Sequence, residues 1–160
     1  MKKRFTKKNI TIFLIFLFLL IQSIRIDKTT EPLNTATDFI SLTSANSEIS
    51  GILKSACYDC HSNQPIYPWY SNIAPVSWWI KNHYSEGSHH LNFSIWGTYS
   101  EKRKNHKLEE CIEMVEENEM PLNSYTWMHK DAKLSDEQKL KLMEFFKAVR
   151  STIVVPEEKH

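Results

Sequence analysis

The chain has 160 residues, 41% hydrophobic and 24% charged, which suits one globular domain plus a short appendage. With 3 glycines and 6 prolines, collagen-like and low-complexity classes are excluded, and 3 cysteines are too few for a disulfide scaffold. The formal charge of +1 hides an asymmetry: residues 1–24 hold Lys2, Lys3, Arg4, Lys7 and Lys8 and no acid, which leaves 15 basic against 19 acidic residues (−4) and no basic footprint for nucleic acid.

Behind the basic start, no charge occurs from Asn9 to Ile24, and the run from Ile10 to Ile21 is almost wholly apolar. Those 16 residues span roughly 24 Å as a helix at ~1.5 Å per residue, slightly short of the ~20 residues of a usual membrane span. Lys8 and Arg25 can snorkel to make up the difference. Two readings compete over residues 1–24: an uncleaved signal-anchor, which is favoured, and a cleaved signal peptide. The only small-residue cleavage motif, Ile21-Gln22-Ser23, is a weak one. Both readings keep the basic flank in the cytoplasm and send the rest outward.

Residues 25–45 are polar, rich in Thr and Ser, and read as a tether. A single domain over 46–153 follows, with four helical patterns. The first spans 47–56, with Ile49, Ile52, Leu53 and Ala56 on one face. The second spans 75–84, with Pro75 in its first turn and Gly87 as its stop signal. The third spans 100–118, with Leu108, Cys111, Ile112 and Val115 buried. The last starts at Ser135, where Ser135 and Gln138 fit a capping box ahead of Leu142, Phe145, Phe146 and Val149. Between the helices lie long loops heavy in aromatics: Tyr67, Trp69, Tyr70, Trp78, Trp79, Trp96, Tyr99, Tyr125 and Trp127. The fold expected is all-α, a cytochrome c-like helical domain with an N-terminal hydrophobic helix. Its aliphatic core is lean for its length, as if a large apolar group completed it.

Cys57-Tyr58-Asp59-Cys60-His61 matches C-x-x-C-H, the attachment motif for haem c. Two thiols at this spacing can add across the two vinyl groups of a porphyrin, which places the adjacent imidazole under the iron as a neutral nitrogen ligand. The motif closes an amphipathic helix in a chain with an export signal, and covalent haem attachment takes place outside the cytoplasm. Competing readings are a redox disulfide, which lacks a βαβ context, and a zinc site, which lacks two further ligands. For the sixth iron position the favoured ligand is Met120, held in a loop by Pro121. His129 is the alternative distal ligand, followed by Met128, His83 and the pair His89/His90, or an open site.

With these residues in view, the chain resembles the small haem-binding-domain proteins of Bacteroidetes-type bacteria. The resemblance rests on Ser55 to Asn63, Tyr67-Pro68-Trp69-Tyr70, Ile73 to Trp79, His90-Leu91-Asn92-Phe93, Trp96, Glu119-Met120-Pro121-Leu122 and Tyr125-Thr126-Trp127, over about residues 46–150. It implies covalent haem binding and no defined reaction. The order C-x-x-C-H, Met-Pro, closing helix is also similar to class I cytochrome c, apart from the Trp-rich stretch 64–100.

The expectation is therefore a mono-haem protein, with one haem c (iron) per chain on Cys57, Cys60, His61 and Met120. It is an electron carrier rather than a catalyst, bound to the bacterial inner membrane through its N-terminal helix with its domain facing the periplasm. A cleaved, soluble periplasmic form is the alternative location. The expected partners are an unidentified redox protein and the membrane, and not nucleic acid. The alternative function is a haem-based peroxidase or a gas or redox sensor with an open sixth site. Asp59 reads as a solvent-facing spacer, Arg103 as a solvated base, and Pro65 or Pro68 as the source of the carbonyl that orients His61.

Overall fold

The computed structural model describes residues 6–155; Lys2, Lys3, Arg4 and the terminal His160 lie outside the described residues. Among those described, the chain is mostly helical and contains no strand. Eight α-helices follow in order: α1 (Lys7–Ile21), α2 (Phe39–Thr43), α3 (Ser47–Ala56), α4 (Tyr58–His61), α5 (Val76–His90), α6 (Glu101–Glu116), α7 (Asn123–Met128) and α8 (Asp136–Ser151). Three 3₁₀ turns, Trp69–Asn72, Phe93–Thr98 and Lys130–Ala132, link them.

The apolar run forms α1, begun by a hydrogen bond from the Asn9 amide to the Thr6 hydroxyl. None of its residues is buried. Among the described residues no helix is long and apolar enough to cross a membrane. Helix α3 starts where the Asn46 side chain accepts from the Ile49 amide and buries the stripe Ile49, Ile52 and Leu53. The expected capping box holds at α8: Ser135 Oγ accepts from the Gln138 amide, and Gln138 Oε1 accepts from the Ser135 amide. Helix α8 lies along α6, and α3 packs against α4 and α8. Phe39, Leu53, Phe93, Leu108, Leu142 and Phe146 form the fully buried centre. Phe39 meets Trp96 edge to face with ring centroids 4.9 Å apart.

Two local expectations give way to packing. The stretch 25–45 does not hang free. Phe39 sits in the core, and the buried Asp38 carboxylate starts α2 by accepting from the Ser41 amide. The Thr37 hydroxyl donates to Ser94 O at 2.8 Å, and the Gly97 amide donates to Thr37 O. A single large aromatic in a polar run has no period, so its burial left no local signature. Gly87 does not stop α5, which runs on to His90. A glycine inside a helix costs about 1 kcal/mol relative to alanine, and here close packing against α4 offsets it. The aromatic loops are also partly helical, with Trp78 and Trp79 in α5 and Tyr125 and Trp127 in α7.

Phe39→Ala will lower unfolding free energy by about 3–5 kcal/mol, the cost of emptying an aromatic site in a core. A true tether position would change it by no more than about 0.5 kcal/mol. Urea titration of the two proteins separates the outcomes.

Candidate functional site

Helix α3 breaks at Cys57, whose backbone (φ −126°, ψ −44°) leaves the helical region. The chain re-enters a single turn, α4, closed by the His61 amide donating to Cys57 O at 2.9 Å. Residues three and four apart on such a turn share a face, and Cys57, Cys60 and His61 all line one cavity of about 570 Å³. That volume is within the range of cofactor pockets. Met114, Val115, Leu134, Leu142 and Phe146 supply apolar wall, and Met120, Pro121 and Leu122 reach the same space. Polar groups at the cavity include His83, Glu86, His90 and the Lys107–Glu110 ion pair of 2.6 Å.

His61 is held from behind. Its Nδ1 lies 2.9 Å from Gly87 O and 3.2 Å from Leu91 O. Both partners are carbonyls, so Nδ1 carries the proton and Nε2 keeps its lone pair. Burial pushes His61 below the ordinary imidazole value, and the two carbonyl bonds only partly oppose it. The ring is therefore neutral at pH 7, the form that binds a metal. The orienting carbonyls come from α5 and the residue after it, not from Pro65 or Pro68.

Gly87 makes this approach feasible. A Cβ at position 87 would stand 2.8 Å from Cys60 O and 3.1 Å from Cys60 Cβ. The bare backbone lets α5 lie directly on the attachment turn. Gly87 O also accepts from the Leu91 amide at 2.9 Å, so one carbonyl serves both the helix and the imidazole.

All three cysteines are free thiols. Burial, then mutual repulsion with Cys60, pushes the Cys57 thiol up to about 12. Burial, then the Asp59 charge, pushes Cys60 up to about 11. Both are protonated at neutral pH and are poor thiolate nucleophiles. Cys111 lines the same cavity, its thiol likewise raised by burial. Among the described residues no cluster of three or more His, Cys, Asp or Glu side chains is arranged to hold a metal ion.

The residues between the two cysteines are not spacers. Tyr58 is buried, stacks on Phe93 at 5.5 Å, and donates to Asp38 Oδ1 at 3.0 Å. Asp59 is half-buried and accepts from the Tyr125 hydroxyl at 2.6 Å and from the Ile66 amide at 2.9 Å, so it ties the turn to two other segments. His129, the alternative distal ligand, does not line the cavity. Its Nε2 shares a 2.7 Å hydrogen bond with the Tyr70 hydroxyl, and its ring stacks on Tyr125 at 4.2 Å. Met128 and His89 are exposed and also lie off the cavity. Arg103 sits over the Tyr99 ring at 4.0 Å. Of the nine loop aromatics, only Tyr125 reaches the cavity; Phe93 and Phe146 line it instead. Sequence reasoning took Gly87 for a helix stop, gave Leu91 no role at the imidazole and did not single out Met114. The one available signal was Gly87 itself, a rare glycine inside a helical pattern.

A helical domain with two thiols and a neutral, back-bonded imidazole on one wall of an apolar cavity belongs to the class that encloses a flat apolar cofactor. The chain is a member of the haem-binding domain family, whose model matches residues 16–148. No curated protein and no solved structure matches it. The site fits the group on its own chemistry: an oriented nitrogen donor, apolar walls, and a missing Cβ where the attachment turn meets α5.

Gly87→Ala will force α5 away from Cys60 and cost about 1–3 kcal/mol, as overpacking does. The yield of haem-loaded protein will fall with it. Thermal melting and the ratio of Soret to protein absorbance measure the two effects.

Proposed function

We propose that this chain carries one haem c and passes single electrons. The observation that carries the reading is the convergence of Cys57, Cys60, His61 and Met120 on one apolar cavity. Cys57 and Cys60 would hold the group by thioether bonds, each thiol adding its S–H across one vinyl group of the porphyrin. His61 Nε2 would supply the iron's nitrogen ligand, its ring oriented by the carbonyls of Gly87 and Leu91. Met120, which lines the same cavity, would offer the iron a thioether sulfur, a pairing with His61 that would raise the potential relative to two nitrogen donors. When bound, the group supplies an iron that changes oxidation state by one electron. The chain's own work is to orient, bury and exclude water, with Val115, Leu142 and Phe146 as the apolar surround.

We further propose that the protein is exported from a bacterial cytoplasm and kept at the inner membrane by its N-terminal helix. Support comes from the basic flank, from the wholly unburied apolar helix α1, and from the extracytoplasmic chemistry of haem c attachment. A redox protein is the natural partner. The second reading, an open sixth site serving as peroxidase or sensor, draws on His83 and His90, which also line the cavity.

The full chain, made alongside a cytochrome c maturation apparatus, will retain haem after acid–acetone extraction and show the added mass of one group. The double variant Cys57→Ala/Cys60→Ala will not. Absence of covalent haem in the unaltered chain overturns the proposal. Met120→Ala will abolish the sulfur-to-iron charge-transfer band of the oxidised protein and lower its potential. An unaltered protein without that band supports the open-site reading instead.

A further inference from the structure

The join between α1 and the domain is built rather than loose. Gln22 clamps the backbone of Ala74 from both sides: its Nε2 donates to Ala74 O at 3.1 Å, and the Ala74 amide donates to its Oε1 at 2.9 Å. Trp78 Nε1 donates to Ile24 O at 3.0 Å. Lys28 Nζ donates to Ser71 Oγ and Asn72 Oδ1, each at 2.7 Å. Ala74 is buried by this contact, and backbone bonds carry the turn on from α1 to Ile24. The exit of the apolar helix is thus fixed against the start of α5.

Around this join the domain leaves apolar side chains in the open. Ile24 is 60% exposed, Ile73 37%, Val76 41% and Trp79 48%. Ile73 precedes α5 by one turn, and Val76 and Trp79 are neighbours on it at a spacing of three. Ile24 follows directly on α1, none of whose residues is buried. Arg25 stands exposed beside it. An apolar helix followed by a basic residue, with an exposed tryptophan on the domain it joins, is what an interface between hydrocarbon and headgroups takes up.

Helix α1 has 15 residues, about 22 Å at ~1.5 Å per residue, against a hydrocarbon core of about 30 Å. A short span is met by thinning the bilayer or by drawing flanking groups into it. We infer that the Ile24–Ile73–Val76–Trp79 collar seats in the headgroup boundary of a lipid bilayer, so that the domain lies on the membrane in one fixed orientation instead of swinging on a tether. The inference rests on the membrane reading of α1 and adds the face, the residues and the rigidity of the join.

The test is spin labelling of the full haem-loaded chain in bilayers of phosphatidylcholine and phosphatidylglycerol. Labels are placed one at a time through Val76→Cys, Leu17→Cys and Leu140→Cys in a Cys111→Ala background. Leu17 is in α1, and Leu140 is an exposed residue of α8, which packs on α3 and α6. Collisional relaxation by oxygen and by a water-soluble nickel chelate reports depth. The expected result is lipid-like accessibility at positions 17 and 76 and water-like accessibility at 140. Lipid at 17 with water at 76 overturns the collar and leaves the anchor standing. Water at 17 overturns both. A second check is Gln22→Ala, which removes both clamp bonds. In the doubly labelled Leu17→Cys/Val76→Cys protein, pulsed dipolar spectroscopy will give a narrow inter-label distance distribution that Gln22→Ala broadens; a broad distribution with Gln22 in place overturns the rigid join.

Discussion

The site depends on how closely α5 approaches the turn that carries the two thiols and the imidazole. A buried imidazole needs a partner for its N–H, and a ligand needs its other nitrogen left unprotonated. Main-chain carbonyls meet both demands because they can only accept. Gly87 and Leu91 offer two at the end of α5, within 3.2 Å of Nδ1. The arrangement exists only where the backbones nearly touch. A side chain at position 87 would occupy the space of the Cys60 carbonyl. The glycine is therefore a structural part of the imidazole's setting, though it touches nothing in the cavity through a side chain.

The remaining support spreads outward from the residues between the cysteines. Tyr58 ties the attachment turn to Asp38, and Asp59 ties it to Tyr125. The first link reaches the segment before the domain's main helices, and the second reaches α7, just after Met120. Both donors are phenols whose ionisation burial disfavours, so they remain donors at neutral pH. The Met120 segment is pinned again where the amides of Glu119 and Met120 both donate to Met114 O. Two short links thus tie the N-terminal and distal portions of the chain to one four-residue turn, which is how a binding constellation is kept within a fraction of an ångström.

What could be read from the sequence follows the range of the interactions. C-x-x-C-H, the helices at 47–56 and 101–116 and the capping box at Ser135 are local patterns, and each has a local physical cause. The rest is non-local. Main-chain carbonyls are identical at every position, so the source of the His61 partner carried no letter in the sequence, and two nearby prolines were the only candidates that proximity suggested. Gly87 read as a stop because propensity knows the helix it weakens and not the neighbour it admits. Phe39 stood with Ile40 and Leu42 in a mostly polar run too short to show a period, and only the tertiary fold shows that it fills the centre of the core. His129 had the right chemistry and the wrong address: the Tyr70 hydroxyl and the Tyr125 ring hold it off the cavity.

Helix α5 joins the two halves of the proposed function. Its first residues carry the apolar collar and follow the Gln22 clamp on Ala74, while its last turns back the imidazole and line the cavity with His83, Glu86, Gly87 and His90. From Val76 to Gly87 the helix rises about 17 Å at ~1.5 Å per residue. A helix does not shorten or bend at low cost without a proline or a bulge, and α5 has no interior proline. Anything bound against Gly87 is therefore held at a set height along this axis from the point where α1 joins. A loose tether would let that height vary over the length of twenty residues of chain. A clamp does not, and under the proposed electron-transfer reading a constant height would fix which partners come within reach.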